Sequence, residues 1–165
     1  MEEQFKIHDY KTPMFSLNGI KTYGRIVDVT DGDTLVIVIP VFENKYFKFS
    51  SRLTNIDTCE TRSKNLQIKQ KGLQAKYRVV ELLCTKNEEC TKKQIKKFFE
   101  DIVCVVWVEC FDFDKYGRLL VNVFIKKEDT KSISDILIDE KLAYKYNGLT
   151  KLTEEEQIKI FYFKF

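Results

Sequence analysis

Apolar and polar positions alternate along this chain in a way that divides it into short strands and helices. "KTYGRIVDV" predicts a first strand ending in the turn "TDGD". "TLVIVIP" is a continuous apolar run closed by Pro40, the pattern of a buried second strand. "KYFKFSSRLTNI" alternates more clearly and predicts a third. Leu73, Tyr77, Val80 and Cys84 recur at helical spacing, so residues 66–84 are expected to form an amphipathic helix. "TKNEECTKKQIKKFFED" is lysine-rich, a surface excursion with room for a second short helix. "IVCVVWVECF", another buried strand, and "RLLVNVFI" pair as a hairpin through the turn residues of "DFDKYG". "SISDILIDEKLAY" opens on a serine cap and has apolar residues at 133, 136, 137 and 142, the spacing of a helix. A last helix starts near Thr153, where "TEEE" fits a capping box to Glu156.

Five short strands with a helix after the third predict an α+β fold: a five-stranded OB-fold β-barrel with about three flanking helices. Residues 1–20, of mixed polarity and containing Pro13, are expected to be an arm, and residues 21–165 one domain. A chain of 165 residues is long enough for a substantial core. No apolar run approaches the roughly 20 residues of a membrane span. The start, "MEEQFKIHDYKTPMF", is acidic and lacks the apolar centre of a secretory signal. Cysteines 59, 84, 90, 104 and 110 are odd in number and lack zinc-site spacing, so reduced thiols and an intracellular location are expected; secretion by another route stays open. The formal charge of +3 is too small to point to nucleic acid. Nearly all basic residues are lysines, which makes the positions of Arg25, Arg52, Arg62, Arg78 and Arg118 informative.

Polar clusters interrupt the apolar framework at "DGDT" (Asp31–Thr34), at Arg52 with "DTCET" (Asp57–Thr61), and at "DKYGR" (Asp114–Arg118). Each alone is an ordinary turn. Together they supply the chemistry of phosphodiester cleavage. Hard divalent cations prefer oxygen ligands. Asp33 and Asp57 are the expected direct ligands, with the Thr58 carbonyl a third. Asp31 either lies behind them or shapes the turn. Arginine offers a planar, permanently charged fork for phosphate oxygens, the role expected of Arg52 and Arg118. Glu60 either takes a proton from water or orients it. His8, the only histidine, lies in the arm and is not a candidate. Arg52 and Asp57 are five residues apart, so an unbroken strand would point them to opposite faces. The strand must therefore end or bend near Asn55–Ile56.

The set "DGDT", then Arg52 with "DTCET", then "DKYGR", in this order and strand context, resembles the staphylococcal nuclease family from about Tyr23 to about Tyr146. The resemblance implies an OB-fold barrel, one calcium ion, and hydrolysis of DNA and RNA, single strands preferred, to 3′-phosphate and 5′-hydroxyl ends. It implies calcium on Asp33, Asp57 and the Thr58 carbonyl, and a phosphate clamp of Arg52 and Arg118. Lys115 and Tyr116 would contact a neighbouring phosphate, and Tyr144 or Tyr146 would stack on a base. It implies no membrane partner, and a monomer is expected. The chain departs from the pattern at Cys59, where the family has proline, and in a long segment 85–101. Residues 1–20 and the ending "IFYFKF" have no family counterpart. The competing reading is a nuclease-like barrel without activity, binding nucleic acid or protein. Such degeneration removes site residues, yet Asp33, Arg52, Asp57, Glu60 and Arg118 are all present.

Overall fold

A computed structural model describes residues 2–43, 45–84 and 91–163. In chain order the elements are α1 (Glu2–Phe5), β1 (Lys21–Asp31), β2 (Thr34–Phe42), β3 (Lys45–Leu53), β4 (Ile56–Asp57) and α2 (Leu66–Cys84). There follow α3 (Lys92–Asp101), β5 (Cys104–Phe113), β6 (Leu119–Phe124), α4 (Ile133–Asp139), β7 (Tyr144–Lys145) and α5 (Glu154–Tyr162). The expected excursion at 85–90, with Cys90, and the last two residues of "IFYFKF" lie outside the described residues.

The five long strands close into a barrel in the order β1-β2-β3-β6-β5, with β3 and β6 parallel and the other pairs antiparallel. This is the expected α+β barrel, flanked among the described residues by five helices rather than about three. One extra helix is the single turn α1. The other, α3, is held by a Thr91–Gln94 capping box and buries Ile95 and Phe99. Leu35, Ile37, Val108, Leu119, Val121 and Val123 fill the interior at 1% exposure or less. Each contributes about 1.5–3 kcal/mol by leaving water. β2 and β5, expected to be buried throughout, instead alternate: Val36 and Val38 are half-buried and Val105 is 51% exposed. A barrel strand has an outer face, and apolar residues there stay partly wet.

Helix α2 runs over the expected span, but its most buried residues are Ile68, Gly72, Ala75, Lys76, Val79 and Val80. Leu73, Tyr77 and Cys84 are only half-buried. Small residues occupy the contact because the helix presses on the loop that follows β4. A Cβ on Gly72 would stand 2.4 Å from the Cys59 carbonyl oxygen. This close approach braces the loop at Cys59. Gly72→Ala is expected to cost about 1–3 kcal/mol of stability by overpacking, read as a lower midpoint in urea unfolding.

The helix expected across "SISDILIDEKLAY" stops at Asp139. Lys141 takes a left-handed φ of 55°, the chain turns, and β7 pairs antiparallel with β4, setting Tyr144 opposite Asp57. The arm lies on the barrel only near its end, where Leu17 is buried and Phe15 touches Phe42 and Phe113. Residues Phe5, Ile7, Tyr10 and Met14 are exposed. Helix α5 packs on α2, where Tyr162 donates a 3.0 Å hydrogen bond to the Gln67 carbonyl. The described Cys59, Cys84, Cys104 and Cys110 form no disulfide. Among the described residues no helix is long and apolar enough to cross a membrane.

Candidate active site

The three polar clusters meet at one end of the barrel. In register, Thr34 of β2 lies opposite Arg52 of β3. Leu53 donates its N–H to the Asp33 carbonyl, which ties the "DGDT" turn to the end of β3. β3 ends at Leu53, and Asn55 turns the chain with a left-handed φ of 63°. The expected break therefore occurs, and it lets Arg52 and Asp57 face each other. The third cluster is built by its own aspartate. Asp114 accepts hydrogen bonds from the N–H groups of Tyr116 and Arg118 at 2.9 Å and from Arg118 Nε at 2.7 Å. Gly117, with φ 76°, completes this β5–β6 turn. Burial acts to raise the Asp114 carboxyl, but the hydrogen bonds from Arg118 and Tyr116 win and hold it below the usual aspartate range.

A cleft of about 420 Å³ is lined by Asp31, Asp33, Thr34, Arg52, Thr58, Cys59, Glu60, Tyr116, Arg118 and Lys151. Arg52 lies between the acids, with Nη1 2.8 Å from Asp33 Oδ2 and Nη2 on Asp57 Oδ1. Asp33 and Asp57 are 4% and 1% exposed. Burial raises the Asp33 carboxyl above its ordinary range, and Arg52 and the Thr34 hydroxyl only partly offset this. For Asp57, burial is outweighed by hydrogen bonds from Tyr144, Lys151 and Arg52, so its carboxyl is lowered. Burial acts to lower the Arg52 guanidinium, and both acids more than reverse this. Asp31 accepts a 2.6 Å hydrogen bond from Thr61, so it clasps the "DGDT" turn to the acidic loop. Glu60 has a side chain 67% exposed, with Lys151 Nζ 3.6 Å away.

A neighbouring groove of about 510 Å³ shares Arg52, Tyr116, Arg118 and Lys151 with the cleft and adds Lys115, Tyr146 and Leu149. Tyr116 is 72% exposed, with Lys115 Nζ 5.1 Å and the Arg118 guanidinium 5.5 Å from its ring centre. The Tyr146 ring lies 5.8 Å from the Arg52 guanidinium. Tyr144 requires a correction. It is 6% exposed and donates its hydroxyl to Asp57, so it has no free face for a base. Its position on β7, one residue from an outward side chain in a period of two, points it inward.

Residues 50–163, more than half of the chain, match the family described as staphylococcal nuclease homologue. The chain belongs to that family. The comparison with curated proteins finds no match. The family match begins after β2, so Asp31 and Asp33 lie outside it; the Thr34–Arg52 register brings Asp33 to Arg52, and Thr61 holds Asp31 at the cleft. Sequence reasoning missed two residues of this nuclease-homologue site. Asp114 was visible in "DKYGR" as a turn former, but its hold on Arg118 depends on the folded hairpin. Lys151 sits in no motif, and nothing in the sequence marks it.

Among the described residues, no group of three or more His, Cys, Asp or Glu is placed to hold a metal ion. Two buried carboxylates, Asp33 and Asp57, flank Arg52, and Thr58 lines the cleft. That set suits a hard dication.

Proposed function

We propose that this protein is a calcium-dependent nuclease that hydrolyses phosphodiester bonds of DNA and RNA, single strands preferred, leaving 3′-phosphate and 5′-hydroxyl ends. The observation that carries the reading is the convergence of Asp33, Arg52, Thr58, Glu60 and Arg118, from separate segments, on one cleft. Asp33, Asp57 and the Thr58 carbonyl would hold the ion, which would supply Lewis-acid polarisation of a phosphate oxygen. Arg52 and Arg118 grip the phosphate and stabilise the charge that builds on its equatorial oxygens. Glu60, exposed at the cleft, accepts a proton from the attacking water or orients it. Lys115 and Tyr116 hold the adjacent phosphate, and Tyr146 offers its ring to a base. Unstacked bases reach such rings only in single or frayed strands, which gives the strand preference. Residues 21–165 act as one domain with residues 1–20 as its arm, and the active species is an intracellular monomer.

The expected result is cutting of single-stranded DNA with calcium, loss of cutting in chelator, and product ends carrying 3′-phosphate. Undiminished cutting in chelator would remove the metal role. The second reading, an inactive module that binds nucleic acid or protein, is favoured by the pairing of the cationic groups: Arg118 with Asp114, and Lys151 with Asp57. It predicts retention of single-stranded DNA without any cutting under the same conditions.

A further inference from the structure

Lys151 lies between β7 and the Thr153 cap of α5. Its Nζ is 2.9 Å from Asp57 Oδ1, the same oxygen that Arg52 Nη2 contacts, and 3.6 Å from Glu60 Oε1. It lines both the cleft and the neighbouring groove. Asp57 is buried, whereas the Lys151 side chain is 46% exposed. The ammonium thus reaches in from the rim on a flexible four-carbon stem. A cation bound by Asp57 would compete with this ammonium for the same carboxylate and be repelled by it.

We propose that Lys151 is a tethered competitor of the divalent cation. Its ammonium neutralises Asp57 and Glu60 and has to swing out before the cation binds. Lys151 therefore sets the cation concentration at which the site loads. The inference rests on the reading that Asp33 and Asp57 take the dication. The swing needs no backbone change, because the ammonium borders the open groove next to the cleft. Arg52 differs in this respect: it is buried between two acids and cannot withdraw so cheaply.

Calcium chloride alone, titrated calorimetrically into the full chain without nucleic acid, tests the competition. Lys151→Met is expected to bind calcium at least about tenfold more tightly than wild type, because a like charge at contact distance is gone. Lys151→Arg, which keeps the charge, is expected to stay within about threefold of wild type. Lys145→Met, which removes a positive charge outside the cleft, is expected to change affinity by less than about twofold, since solvent and salt screen it. In chelator, Lys151→Met should melt earlier than wild type, and calcium should raise its Tm by more than it raises that of wild type. A lysine that merely ties down the loop would give the first of these melting effects and not the second. Wild-type binding with unchanged or weaker binding by Lys151→Met overturns the inference and leaves the metal reading intact. Calcium binding by none of these proteins overturns both.

Discussion

Arg118→Gln is expected to lower single-stranded DNA cleavage by about 10²–10³, the usual cost of removing one preorganised donor to developing charge. Its fold should survive. The Arg118 side chain is 27% exposed and pairs with Asp114 in a surface turn, where an ion pair is worth about 1 kcal/mol or less. Asp114 would keep its bonds from the N–H groups of Tyr116 and residue 118, so the hairpin keeps its shape. Steady-state cleavage rates and thermal unfolding of the same preparation check both halves. Activity within tenfold of wild type would show that Arg118 has no part in the reaction.

Arg52→Met is expected to act first on stability. Arg52 bridges two carboxylates that are almost wholly buried, and removing it leaves both to face each other with Lys151 as the remaining cation. Breaking a buried ion pair from one side costs about 3–5 kcal/mol. For a domain of this size that is a fall in Tm on the order of 10 °C. The pH dependence has a definite sign. Asp33 already sits above the ordinary aspartate range, so its charge opposes folding at neutral pH, and its favourable contribution is lost as pH rises through the raised value. Without Arg52 that opposition deepens. The deficit should be largest near neutrality and shrink as acid protonates Asp33. Calcium, if held by the two acids, should return part of the lost stability, because a ligand of the native state stabilises it. Tm measured against pH, with calcium and with chelator, reads all three effects; a loss below about 1 kcal/mol would mean that Arg52 is not the counter-ion of the pair.

The two variants separate the arginines that the sequence treats alike. Both are phosphate-clamp candidates by sequence, and only their surroundings differ. Arg118 is held by one partly exposed aspartate in a turn, whereas Arg52 is locked inside the acidic pair. The same contrast marks the tyrosines. The sequence offers Tyr144 and Tyr146 equally to a base, but the short β4–β7 pairing turns Tyr144 toward Asp57 and leaves Tyr146 at the groove. A helical pattern at 133, 136, 137 and 142 hid this, because Leu142 fits the helical period although the helix has already ended at Asp139.

Local chemistry was legible from residue order. Strand and helix periods, the capping box at Thr153, the serine cap at Ser132 and the turn at Asn55 each depend on neighbours a few residues apart. They led to the barrel, and the acidic and arginine-bearing turns led to the family. Tertiary structure alone decided which partners those side chains have: Arg52 with Asp33 and Asp57, Tyr144 with Asp57, Gly72 against Cys59, and Lys151 at the acids. These contacts join residues brought together by barrel closure and helix packing, and their strength comes from burial. Apart from Arg52 and Asp57, five residues apart across the break at Asn55, the partners are distant along the chain, so no local pattern records them.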